Sequence, residues 1–167
     1  MELSRAHIVG DDVNTDYIIA SRYKARADDA TGLTAHLFED LDPALAARIQ
    51  PGDVIVAGHN FGSGSSRETA PRVLKAAGVS AVVARSFARI FFRNAINVGL
   101  AVIESDWNGI STGDRLCIEV ESGSILAESG TVCGTFAPLP PFLIEIVESG
   151  GLRGYLRKRA SSEAEQS

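Results

Sequence analysis

Apolar and polar positions alternate in blocks that predict a strand–helix repeat followed by a run of strands. Ala6 to Val9 reads as a short first strand, and Asp11 to Asp16 as a turn-rich polar loop. A polar stretch, Ser21 to Asp29, comes next. Thr34–Phe38 and Ala44–Ile49 are short helical pieces, the second opened by an Asp42 cap and a first-turn Pro43. Val54 to Ala57 is an unbroken apolar run after the polar stop Asp53, the mark of a buried strand. A helix then starts within a few residues of Pro71, carries Val73, Leu74, Ala76 and Ala77, and stops at Gly78. Ala81 to Ala84 is a second buried strand. The helix after it is expected to use Ser86 as its cap, to gather Phe87, Ile90, Phe91, Ala95 and Val98 on one face, and to end at Gly99. Strands follow at Ala101–Ile103, Leu116–Val120, Ser124–Leu126 and Thr131–Cys133, then a helix at Phe142–Val147 stopped by Gly150 and Gly151. Leu152 to Arg159 is basic and weakly amphipathic. This order predicts one α/β domain with a mixed sheet over residues 1–160, with a polar tail, 161–167, expected to be disordered.

Composition narrows the function. The chain has 167 residues, 45% of them hydrophobic and 22% charged, enough for a real core. A net charge of −5 argues against nucleic-acid binding. No apolar run approaches the ~20 residues of a membrane span, and Met1 to Arg5 shows no secretory pattern, so a cytoplasmic location is expected. The two cysteines, Cys117 and Cys133, fit no metal or redox spacing and read as small buried groups.

The candidate chemistry lies between the second strand and its helix, in Gly58-His59-Asn60-Phe61-Gly62-Ser63-Gly64-Ser65-Ser66-Arg67-Glu68. A strand, a Gly/Ser loop and a helix start point free N–H groups and a dipole at an anion. Arg67 adds a planar charged fork suited to a carboxylate or phosphate. There is no Gly-Lys-Ser/Thr, no third glycine for a dinucleotide fingerprint, and no serine flanked as in a nucleophile elbow. His59 stands six positions before Ser65, but no aspartate signature joins them into a hydrolase triad. From the residues alone, a capped surface turn and an anion site both stand.

Asn60 to Glu68, followed by Ala81-Val82-Val83-Ala84-Arg85-Ser86-Phe87-Ala88-Arg89-Ile90-Phe91, resembles the swivel domain of the aconitase superfamily. Gly10-Asp11-Asp12-Val13-Asn14-Thr15-Asp16-Tyr17-Ile18-Ile19 extends the resemblance upstream. More closely, the chain is similar to stand-alone small subunits of 3-isopropylmalate dehydratase and homoaconitase-type hydro-lyases. The resemblance implies a swivelling β/β/α arrangement. It implies reversible loss and addition of water on a hydroxy di- or tricarboxylic acid, with leucine biosynthesis as the setting for isopropylmalate. It implies a large-subunit partner carrying the [4Fe–4S] cluster, which two cysteines cannot hold.

By motif, Ser65 matches the catalytic base, Arg67 the substrate-carboxylate ligand, and Ser66 its neighbour. Thr15 and Asp16 belong to a loop that the family places near the substrate. The segment after Tyr23 helps to choose the substrate's side group there; isopropylmalate enzymes generally carry apolar residues, whereas this chain has Lys24 and Arg26. Those cations suit an extra carboxylate, as in homoaconitate, and equally suit a solvated surface loop. Thr69 stands where the family usually has histidine, and Arg89 is a candidate neighbour of the site. A helix dipole contributes about 0.3–1 kcal/mol and an oxyanion donor roughly 2.7–4, at ~1.36 per pKa unit. A serine base therefore needs a closed site, and the isolated chain is expected to be inactive. Methyl-substituted malates are a further substrate class. A non-catalytic anion-binding or regulatory module is the alternative of another kind.

Overall fold

The computed structural model describes residues 3–65 and 67–164, with only the backbone of Lys24, Glu163 and Ala164. Seven strands form one sheet in the order β4-β3-β2-β1-β5-β6-β7. Strands β1 (Ser4–Gly10), β2 (Val54–Ala57), β3 (Ala81–Ala84) and β4 (Ala101–Glu104) run parallel. Strands β5 (Arg115–Glu119), β6 (Ser124–Ala127) and β7 (Val132–Thr135) continue the sheet antiparallel from β1. The all-apolar runs of β2 and β3 are buried at every position, as expected of parallel strands covered on both faces.

Alternation along the strands divides the core in two. Val9, Ile55, Ala57, Val82 and Val102 face the helices, where they meet Val73 and Leu74 of α3 (Thr69–Ala76) and Phe91 and Ala95 of α4 (Arg89–Val98). Ala6, Val54, Val56, Ala81, Val83 and Ile103 face the other way and are covered by Ile110, Leu116 and Ile125. The antiparallel half thus curls over the face that the helices leave open. Two one-turn helices, α1 (Thr15–Ile18) and α2 (Leu45–Arg48), lie in the long connection from β1 to β2. The carboxy-terminal α5 (Pro141–Glu148) and α6 (Leu152–Ala164) finish the helical layer. Helix α6 runs past residue 160 into the segment expected to be a tail, because nothing in Ser161 to Ala164 breaks a helix.

Expectations for α2 and α4 need correction: α2 starts at Leu45 with Ala44 in the cap position, past the expected Asp42 cap and first-turn Pro43, and Phe87 precedes α4. Ser86 does not cap α4; its hydroxyl accepts from the Asn60 N–H at 2.9 Å, and the backbone of Ala88 takes the cap position. Ile90 is 51% exposed, because the buried face centres on Phe91, Ala95 and Ile96. Gly99 does end α4, at φ 78°, and a Cβ there would sit 2.5 Å from the Gly151 nitrogen. Lys75 ties the two helix ends together, donating to the Val98 carbonyl at 2.5 Å and the Gly150 carbonyl at 2.9 Å. Loss of solvent lowers its pKa.

Buried polar groups fix the sheet's other end. His7 Nε2 lies 2.7 Å from Asp53 Oδ2, which also accepts from the Gln50 N–H at 2.9 Å; His7 and Asp53 are both buried. Removing the carboxylate leaves the buried His7 ring and the part-buried Gln50 N–H without their acceptor. Asp53→Ala should lower the unfolding free energy by about 2–4 kcal/mol, measured by urea denaturation of the full chain.

Candidate functional site

The carboxyl ends of β1, β2 and β3 meet at one edge of the sheet, where an open parallel sheet gathers its loops. Asp11 Oδ1 accepts from the His59 N–H at 2.6 Å, and the Asp12 N–H donates to the His59 carbonyl at 2.9 Å. Asn60 takes φ 59°, a left-handed conformation that asparagine tolerates, and its side-chain amide donates to Asp12 Oδ1 at 2.9 Å. The Phe61 N–H donates to the Ser86 carbonyl at 3.0 Å, and the Ala88 N–H to the Phe61 carbonyl at 2.9 Å. From the β1 side, Gly62 N–H reaches the Val13 carbonyl at 2.7 Å and Thr15 N–H the Ser63 carbonyl at 2.8 Å. The loop is therefore stitched along both edges.

Packing holds it from below. Phe61 is fully buried, edge-on to Phe91 with ring centroids 5.1 Å apart and to Phe87 at 6.0 Å. Gly62 follows at φ 79°, where an added Cβ would lie 2.2 Å from Phe91 Cγ. A side chain is barred there twice, by conformation and by the ring.

On this platform the sequence-predicted residues come together in part. Ser65 is exposed, and its hydroxyl accepts from Arg67 Nε at 3.2 Å. Arg67 is 19% exposed, and its Nη2 donates to Asp16 Oδ1. Asp16 opens into solvent at 53% exposure. Thr15 is buried, and its hydroxyl donates to the Ser65 carbonyl at 3.3 Å, so it holds the loop and does not face solvent. Ser66 lies outside the described residues, as does the side chain of Lys24. His59 makes no hydrogen bond to Ser65 among the described residues, and its backbone alone joins the loop network. Arg89 is exposed at the start of α4.

One contribution was hidden in the sequence. Asn14, read only as part of a polar turn, caps α1 by accepting from the Asp16 and Tyr17 N–H groups at 2.9 and 3.0 Å. That cap aims Asp16 at Arg67. The signal was present, since Asn is a favoured cap, but a single helical turn has no apolar period to announce it.

The segment around Tyr23 is a 3-10 turn, Ser21–Arg26, and its two cations with described side chains, Arg22 and Arg26, are engaged. Arg22 pairs with Glu39 and Asp40. Arg26 Nη2 donates to Asp29 Oδ2 at 3.1 Å and to the Gly32 carbonyl at 3.4 Å. Tyr23 stacks on His36 at 4.3 Å and donates to Glu39 Oε1 at 2.8 Å, while His36 Nδ1 lies 2.9 Å from Glu39 Oε2. Burial pushes the Glu39 carboxyl up, but hydrogen bonds from His36, Tyr23 and Arg22 outweigh it and hold its pKa below the usual range. Among the described residues, no three His, Cys, Asp or Glu side chains gather as a metal site. Cys117 is buried; Cys133 is only half-buried, short of the expected burial, because it lies on the outermost strand β7. No described helix is long and apolar enough to cross a membrane.

Known proteins share this architecture. The aconitase C-terminal domain family matches residues 14–106. The 3-isopropylmalate dehydratase small subunit of Moorella thermoacetica is 47% identical over 160 residues, covering 95% of this chain and 96% of that protein. Small subunit 2 of the Archaeoglobus fulgidus enzyme is 46% identical over 156 residues, with 93% and 94% covered. The crystal structure of 3-isopropylmalate dehydratase from Methanocaldococcus jannaschii superposes with a TM-score of 0.91 at 40% identity, covering 99% of this chain and 98% of that one.

Two measurements check the geometry. Gly62→Ala should destabilise the chain by about 2–5 kcal/mol, the sum of a left-handed alanine and an overpacked ring, read from thermal and urea unfolding. Because Glu39 is stabilised as the anion, its contribution is complete above the ordinary glutamate pKa of about 4.3 and fades as pH falls through the lower folded value. The urea-midpoint gap between the wild-type chain and Glu39→Gln should therefore be widest near neutrality and close in acid.

Proposed function

The chain belongs to the aconitase C-terminal domain family, and on that premise we propose that it is the small subunit of a two-chain hydro-lyase acting as a 3-isopropylmalate dehydratase. The observation that carries the proposal is the Ser65–Arg67 pair, set on a loop stitched to the ends of three parallel strands. In this reading Arg67 binds a substrate carboxylate and Ser65 Oγ takes the proton from the adjacent carbon. Ser66, between them in sequence, is proposed as a further substrate contact by its motif. Thr15 serves by fixing the carbonyl of Ser65.

Ser65 is exposed in the isolated chain. A serine hydroxyl surrounded by water stays protonated, and the local terms supply too little to change that. The site therefore works when a large subunit closes over it and excludes water. The residues here do not fit an iron–sulfur cluster: Cys117 and Cys133 lie on β5 and β7, and no third ligand joins either among the described residues. In this reading a [4Fe–4S] cluster belongs to the partner, where it would supply a Lewis acid for the departing hydroxyl. A cytoplasmic setting, and no role for nucleic acid or membrane, go with this reading.

The substrate's side group is the finer question. Arg26 already holds Asp29 and the Gly32 carbonyl, and Arg22 holds two acids. An extra substrate carboxylate would have to compete with these partners. The engagement of Arg22 and Arg26 supports a branched alkyl group; the side chain of Lys24 lies outside the described residues. Methyl-substituted malates remain in the same class. A non-catalytic anion-binding module would use Arg67 but gives the Ser65 hydroxyl beside it no chemical role.

Ser65→Ala, assembled with its large subunit, should lose turnover by at least about a hundredfold while the complex still forms on gel filtration. Parental turnover by that variant, or turnover by the small subunit alone, would sink the proposal. Arg26→Ala should change the ratio of kcat/KM for isopropylmalate over homocitrate by less than about threefold. A tenfold shift would move the assignment to a tricarboxylate enzyme.

A further inference from the structure

Asp16 presents a chemical difficulty. It lies beside the proposed carboxylate ligand, yet an ionised carboxylate cannot attract an anionic substrate. Its partner resolves this: Asp16 Oδ1 accepts from Arg67 Nη2, while Arg67 Nε is turned to the Ser65 hydroxyl at 3.2 Å. The guanidinium thus already holds a carboxylate and a hydroxyl, the two groups of a hydroxy-acid site, and both come from this chain.

We infer that Asp16 is an internal stand-in for the substrate carboxylate, a positioning residue that keeps the Arg67 fork aimed and is displaced when the hydroxy-acid arrives. This rests on the reading of Arg67 as the carboxylate ligand. Asp16 is on the outer side of the pair, 53% exposed against 19% for Arg67, so a ligand from solvent meets Asp16 first. Release needs no backbone movement. Asn14 fixes the Asp16 N–H at 2.9 Å, and Arg67 is the one side-chain partner of the Asp16 carboxylate among the described residues. Rotation about the side-chain bonds frees the fork while α1 stays in place. The exchange is nearly balanced, because one half-exposed ion pair is broken as another forms.

The stand-in keeps the empty site from presenting an unpaired arginine. It also weakens binding, since every anion must displace a tethered competitor. Replacing the charge while keeping the shape separates these effects. Asp16→Asn retains length and an acceptor oxygen but competes poorly for a guanidinium.

The test uses the full chain, titrated with malonate as a dicarboxylate probe and followed through the Arg67 Nε–H signal by NMR. Asp16→Asn should bind malonate roughly two- to fivefold more tightly than the wild type, the range of an exposed ion pair. Adding Arg67→Lys to either protein should abolish the difference. Equal or weaker binding by Asp16→Asn, or no malonate binding by either protein, overturns the inference. A residue that only braces the loop would instead lower the melting temperature and weaken malonate binding. The outcome is independent of the proton-acceptor role: turnover by an assembled Ser65→Ala enzyme would refute that role and leave the malonate comparison unchanged.

Discussion

The site depends on a seam of backbone hydrogen bonds that ties the loop after β2 to its neighbours on both sides. Val13 and Thr15 hold it from the β1 side through Gly62 and Ser63, and Ser86 and Ala88 hold it from the β3 side through Phe61. A loop rich in glycine and serine loses much conformational freedom on ordering. Buried Phe61 and its two ring neighbours provide the compensating contact. The polar end of the loop is thus defined by an apolar anchor four residues away from Ser65.

That anchor also explains the division of labour among the loop's residues. Thr15 and Asn14 act on the backbone, one holding the Ser65 carbonyl and the other capping α1. Asp16, Arg67 and Ser65 point to the outside. The first group fixes geometry, and the second offers charge and a hydroxyl to whatever covers the edge of the sheet. In the function proposed above, a partner subunit would cover this open side.

Much of this was readable from the residues. Strands β2 and β3 matched their apolar runs at both ends, because a fully buried parallel strand has no polar position to blur its limits. The loop stood out through glycine spacing and its arginine. Ser86 was misassigned since a serine before a helix ordinarily caps it, whereas here a long-range contact with Asn60, 26 positions away, takes precedence. Ile90 fitted a helical face by spacing, but the buried face of α4 centres on Phe91, Ala95 and Ile96, which leaves Ile90 on the solvent side. The basic residues after Tyr23 looked available for a ligand. Arg26 is instead held by Asp29 and the Gly32 carbonyl, and Arg22, just before Tyr23, by Glu39 and Asp40, 17 and 18 positions away, a distance that local pattern reading does not span.

The protein has a single tryptophan, Trp107, and it sits in an informative place. Its indole N–H donates to the Ala57 carbonyl at 2.7 Å, at the residue where β2 gives way to the loop, and the Arg85 guanidinium lies 4.9 Å over its ring. Indole emission responds to both hydrogen bonding and nearby charge. The fold therefore carries an intrinsic optical reporter wired to the base of the Ser65 loop, able to register assembly with a second subunit without any label.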